Sequence, residues 1–92
     1  MMNDTVNKAH ALLEHRSDLA PLEALIVTAL DDGVGRDTGR LARTFELEHA
    51  LVYRSALELE RKAWVVSTAR SGRSPGLALA LTDVARTSMG AF

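Results

Sequence analysis

The sequence predicts a mostly helical α+β domain in which several helices carry one small antiparallel β-hairpin. Three observations predict it. Apolar residues recur at helical spacing from Val6 to Leu59. The period then drops to two in the runs WVVST (64–68) and LALAL (77–81), as extended chain requires. The residues between those runs, ARSGRSPG, hold Gly72, Pro75 and Gly76 and suit only a turn or a long hairpin loop.

Each element has its own local reason. Val6, Ala9, Leu12 and Leu13 put one apolar stripe on a first helix ending near Arg16. That helix is not needed to complete the rest, so its stripe is an expected dimerisation surface, and the tail TSMGAF (87–92) is the other surface available for it. Asp18 is the expected cap of a second helix, with Pro21 tolerated in its first turn. Leu22, Leu25, Ile26, Ala29 and Leu30 continue that helix until Asp31-Asp32-Gly33 stops it. GVGRDT holds a short extended piece around Val34 before Asp37 or Thr38 caps a third helix. Leu41, Ala42 and Phe45 form the buried edge of this helix, and Arg36, Arg40 and Arg43 fall on its other side. After a break near Glu46–Glu48, Val52, Ala56 and Leu59 mark a fourth helix from His49 to about Lys62. The hairpin follows, with Trp64 at its base in the core, and Thr82 caps a final short helix through Met89.

One domain, 1–92, is thus expected: an N-terminal helix (1–17), a helical core (18–63), a hairpin (64–81) and a C-terminal helix with tail (82–92). A chain of 92 residues buries only about two-thirds of the surface its unfolded form exposes, which leaves little room for a self-contained enzyme. With 47% hydrophobic and 25% charged residues the composition is that of a globular chain, and 4% aromatics make the core aliphatic. The absence of cysteine excludes disulfides, thiolate metal sites and a cysteine nucleophile. No apolar run reaches the roughly 20 residues that span a bilayer, and MMNDTVNKAH lacks the apolar stretch of a signal peptide, so no membrane association and a cytoplasmic location are expected.

The net charge of −1 is unevenly distributed. Residues 1–35 carry two basic and six acidic groups, a net −4, which leaves +3 for the remainder. Arg61, Lys62, Arg70 and Arg73 stand in a stretch, 61–82, that has no acid. A polyanionic partner is therefore expected only for the second half.

Two short helices joined by a tight turn and followed at once by a basic hairpin describe a winged helix-turn-helix. The stretch from Arg40 to Arg86 resembles the DNA-binding core of MarR-type transcriptional regulators. Leu41-Ala42 resembles the paired apolar start of their second motif helix, Phe45 and Leu47 the turn positions, and Val52-Tyr53-Arg54 the early recognition helix. Leu59-Glu60-Arg61-Lys62 with Trp64-Val65 resembles the end of that helix and the first wing strand, and Leu81-Thr82 the end of the wing. Ala63 stands where the family usually has Gly, so the turn into the wing lacks the residue that most easily adopts positive φ. Asp83-Val84-Ala85 follows Leu81-Thr82 where the family favours a later Gly. With Phe92 as its last residue, the chain is expected to be a short form of the family, without the long C-terminal dimerisation helices. The resemblance implies double-stranded DNA as partner, a homodimer, no cofactor and no enzymatic activity.

Candidate DNA contacts follow. Arg36, Arg40 and Arg43, at i, i+4 and i+7, are placed to touch phosphates, the alternative being a solvated basic face. His49, Ala50, Tyr53 and Arg54 lie at the start of the fourth helix, where base edges are met in a major groove. Arg54 has the geometry to grip guanine O6 and N7, and Tyr53 to reach a phosphate or a thymine methyl. Arg70, Ser71 and Arg73 in the hairpin loop suit the minor groove and its backbone. Glu46, Glu48 and an exposed Leu51 support the alternative, a winged helix that binds a protein partner and no DNA. Glu58 and Lys62 are expected to pair at i, i+4. No catalytic or metal site is expected: His10, His15 and His49 lack metal spacing, Glu58 and Glu60 point to different sides of a helix, and Gly33-Val34-Gly35 is too short for a nucleotide loop.

Overall fold

Helical periodicity gives way to extended chain at Ala63, and the elements divide there. The computed structural model describes residues 2–69 and 76–90. In order they form α1 (Met2–His15), α2 (Pro21–Asp32), α3 (Thr38–Thr44), α4 (His49–Arg61), β1 (Val65–Ala69), β2 (Leu77–Leu81) and α5 (Asp83–Met89). The result is an α+β arrangement, mostly helical, with one two-stranded antiparallel sheet among the described residues. None of the described helices is long and apolar enough to cross a membrane.

The stripe of α1 packs inside the chain. Leu12 is 0% exposed and Ala9 is buried, Leu13 rests on the same core, and Val6 alone of the four stays 38% exposed. The partner is α2, whose acidic end α1 also clamps. The Thr5 hydroxyl donates to Asp32 Oδ2 (2.8 Å), and Lys8 Nζ meets Asp31 Oδ2 (3.2 Å) and Asp32 Oδ1. The surface expected to join two copies is therefore already occupied by the chain's own second helix.

Asp18 does not cap α2. The N-cap is Ala20, Pro21 takes the first helical position, and Glu23 accepts the Ala20 N–H at 2.9 Å. Asp18 instead receives a two-pronged contact from Arg16, Nε to Oδ1 at 3.1 Å and Nη2 to Oδ2 at 3.2 Å. A fixed fork on a carboxylate is stronger than a lone carboxylate on an amide, which explains the exchange. Arg16 also lies 4.9 Å over the Trp64 ring and donates to Ser88 Oγ, so one side chain ties α1 to the base of the hairpin and to α5.

Ile26 and Val27 of α2, Leu41 of α3, Val52, Ala56 and Leu59 of α4, and Leu77 and Leu79 of β2 belong with Trp64 to one core cluster, which Ala9 and Leu12 of α1 and Ala85 and Met89 of α5 also join. Antiparallel pairing runs from Val65↔Leu81 to Ala69↔Leu77, so Val65, Leu77 and Leu79 face inward while Val66, Ala78 and Ala80 face out. The extended piece before α3 lies at Arg36–Asp37, not at Val34. Val34 is held back because its N–H closes α2 on Ala29 O at 2.9 Å. Three residues later Asp37 bridges Ala78, and Leu79 N–H donates to Arg36 O at 2.7 Å.

Three helices end by the same reciprocal closure, an N–H reaching back five residues and another reaching back three. At α2 the turning residue is Gly33, with φ 74°. At α3 it is Glu46 with φ 55°, where Leu47 N–H reaches Ala42 O at 2.8 Å. At α4 it is Ala63 with φ 67°, where Trp64 N–H reaches Leu59 O at 2.9 Å. Positive φ costs an L-residue with a Cβ roughly 1–2 kcal/mol. The missing glycine at Ala63 thus leaves the conformation in place and adds strain to it. Thr82 seals the other side of the corner: its N–H donates to Trp64 O (3.1 Å), its hydroxyl donates to Ala63 O (2.8 Å) and accepts the Ala85 N–H (3.1 Å), capping α5.

Candidate nucleic-acid interface

The period of α4 decides what it offers to a partner. Val52, Ala56 and Leu59 are wholly buried, which turns Ala50, Arg54 and Leu57 outward. On α3, whose N-terminus is capped by Asp37 accepting the Arg40 N–H at 2.8 Å, Arg40 and Arg43 are exposed. Among the described residues neither these two arginines nor Arg54 joins an ion pair. The turn between the helices is the closure at Glu46, so the relative placement of α3 and α4 is set by backbone hydrogen bonds and the half-buried Phe45 and Leu47.

The expected contact set divides. Ala50 and Arg54 share the outward face, but His49 and Tyr53 are half-buried. His49 Nε2 and Thr38 Oγ1 share a hydrogen bond of 2.8 Å, and the wholly buried Thr38 oxygen also accepts the Leu77 N–H at 3.1 Å. The Tyr53 ring stands edge-on to the His49 ring, centroids 6.0 Å apart. His49 therefore fastens the start of α4 to α3 and β2, a role its position at a helix start did not reveal.

Arg36 does not share a face with Arg40 and Arg43. Helix α3 begins only at Thr38, so the i, i+4, i+7 relation has no helix under its first member. Arg36 instead lines a cleft with Arg86. The hairpin contacts Arg70, Ser71 and Arg73 lie outside the described residues.

The Glu58–Lys62 pair is replaced by two others. Glu58 Oε2 takes Arg61 Nε at 2.7 Å, one residue nearer. Lys62 reaches across to α2, its Nζ 2.6 Å from Glu23 Oε1 and 2.6 Å from Asp18 O. Glu23 is almost wholly buried, so burial strengthens this attraction while making solitary charge costly there. The local signal, a Glu three residues after a helix cap, announces the contact to Ala20 but not the lysine. Glu60 accepts from both the N–H and the hydroxyl of Ser67 at 3.1 and 2.8 Å, fixing β1 to the end of α4.

Charge on the α1–α2 side is correspondingly settled. The Arg16 fork holds the Asp18 carboxyl below the usual carboxylate range, and Lys8 does the same for Asp32, whose presence in turn raises Lys8. Glu46 and Glu48, beside the start of α4, are exposed and in no ion pair among the described residues. Leu51 and Leu57 are 42% and 43% exposed on α4. No protein-family model matches the chain, and a search of curated proteins finds no match.

Proposed function

We propose that this chain is a winged helix-turn-helix DNA-binding regulator of MarR-like type, in which α4 enters the major groove of double-stranded DNA. The hairpin lies on the backbone or in the minor groove. The observation that carries the reading is a set of cations on α3 and on the outward face of α4: Arg40, Arg43 and Arg54 are exposed and have no carboxylate partner among the described residues, on two helices joined by a short turn. Arg40 and Arg43 take phosphates, and Arg54 meets a base edge. Tyr53 and His49 act by holding the start of α4. A homodimer is part of the proposal, because one module of this size covers too little DNA to be selective alone. With the α1 stripe occupied, its surface has to be sought elsewhere.

Exposed Leu51 and Leu57 on α4 favour a second reading, a winged helix whose α4 face binds a protein, with Glu46 and Glu48 meeting that partner instead of phosphate. Titrating the chain with a random duplex pool over a range of salt separates the two. A DNA-binding protein loses affinity steeply, with a slope of log affinity on log salt of about −0.9 per neutralised phosphate. Absence of binding at low salt overturns the regulator and leaves the protein-binding module.

A further inference from the structure

The outward face of α4 carries apolar groups beside its cation. Ala50 and Leu51 are exposed at the start of the helix, and Arg54 is exposed one turn further on. Successive residues of a helix turn by about 100°, so the arginine projects between the two, about 40° from Ala50 and about 60° from Leu51 around the axis. The other side chains of these two turns are engaged: Val52 lies in the core, His49 bonds Thr38, Tyr53 stands against His49, and Ser55 is half-buried. Residues 49–55 therefore present one guanidinium bracketed by two apolar groups, with no exposed side-chain amide or hydroxyl.

We propose, resting on the DNA-binding reading of α4, that Ala50 and Leu51 recognise the 5-methyl groups of thymines close to a guanine gripped by Arg54. In the major groove thymine alone offers an apolar group, and guanine offers the two acceptors that suit a guanidinium. Adenine and cytosine offer donors there, and this face holds no acceptor for them. Four residues of helix advance about 6 Å, against about 3.4 Å between stacked base pairs, which puts the thymines within about two base pairs of the guanine. The side chain of Ala50 is a single methyl group, so the start of α4 meets no bulk there that would hold it off the groove floor. Arg40 and Arg43 on α3, with no carboxylate partner among the described residues, favour a polyanion over an apolar protein as the occupant of this face. Ala50, Leu51 and Leu57 also fall far short of the roughly 20–30 residues that a stable protein interface uses on each side.

Selection from a random duplex pool at fixed salt supplies the preferred site, and each of its thymines is then replaced singly by deoxyuridine, which keeps the pairing and removes only the methyl. Within two base pairs of the guanine, each replacement is expected to weaken binding about three- to fivefold, as burial of one methyl group is worth. Replacement further away has no effect. In Leu51→Ala, whose fold is checked by its thermal midpoint, the penalty at one thymine disappears while the preference for guanine stays; Ala50→Gly repeats the test at the other. Deoxyuridine without cost, on a duplex whose guanine preference is lost in Arg54→Ala, overturns the inference and leaves DNA binding by α4 standing. So does a cost that neither Leu51→Ala nor Ala50→Gly removes, which places the methyl contact elsewhere. Glu48 is exposed and its side chain makes no hydrogen bond to the helix it caps. A preference for cytosine or adenine that Glu48→Gln abolishes makes that carboxylate the reader and also overturns the inference. No duplex bound at low salt overturns the regulator and the inference together.

Discussion

On α1 and the loop after it, both cations meet carboxylates: Lys8 meets Asp31 and Asp32, and Arg16 grips Asp18. On α3 and the first half of α4, Arg40, Arg43 and Arg54 meet none among the described residues, although Glu46 and Glu48 stand close by in sequence. Supply of acid does not explain the difference. On the first side Lys8 and its two aspartates project from helices already packed together, and Arg16 and Asp18 stand two residues apart in the loop joining those helices, so little side-chain freedom is lost in pairing. On the second side the carboxylates sit in a turn and at a helix cap, and the arginines point away from the core. The comparison teaches that a cation's partner is decided by which elements pack, and that Arg40, Arg43 and Arg54 lie where no described carboxylate is held against them.

The largest expected effect breaks the paired side. Glu23→Gln keeps an acceptor for Ala20 N–H but removes the charge facing Lys62, whose side chain is only 22% exposed. A loss of about 2–3 kcal/mol is expected, below the range for a fully buried pair because Lys62 retains some water. Chemical denaturation measures it, and a change under about 0.5 kcal/mol shows that the pair contributes no more than a surface one.

Arg54→Ala tests the unpaired side from the opposite direction. Stability should stay within about 0.5 kcal/mol, as for exposed substitutions in general. Affinity for the preferred duplex should fall by about 1–3 kcal/mol, with relaxed preference at one base pair. Equal loss on preferred and random DNA reassigns Arg54 to a phosphate.

A smaller change is expected from Arg40→Ala and Arg43→Ala, each lowering the magnitude of the salt slope by about 0.9 with no loss of sequence preference. An unchanged slope removes α3 from the interface.

The smallest effect is seen in acid. Asp18 and Asp32 have lowered values in the fold, so the stability they contribute is present above the ordinary carboxylate value and is lost as the pH falls through their folded values. Unfolding midpoints followed below about pH 4 should therefore drop. Asp32→Asn should flatten that drop in part.

Much of the fold is legible in the sequence because it rests on local rules. The stripes of α2 and α4, the caps at Asp37 and Thr82, the stop at Gly33 and the alternation of β2 each depend on residues within a few positions of one another. The errors lie where a distant partner or a one-residue offset decides. Lys62 prefers a carboxylate 39 residues away to one a single turn back. Arg36 leaves the α3 face because the helix starts two residues beyond it. The periodicity of α1 says that one face is buried but not that α2 covers it. His49 shares the start of α4 with Ala50, yet one step along a helix rotates a side chain by about 100°, enough to turn one inward to Thr38 and the other to water.

The corner at Ala63 also poses a question of handedness. A backbone at φ 67° is uncomfortable for an L-residue and natural for its mirror image. A synthetic chain with D-alanine at 63 would keep the methyl group and remove the strain, whereas Ala63→Gly removes the strain but gives the unfolded chain more freedom. Expected stabilisation is about 1–2 kcal/mol for D-alanine and about 0.5–1 kcal/mol for glycine. The gap between the two thermal midpoints would measure, at one position, how much of glycine's usefulness in turns is offset by its disorder when unfolded.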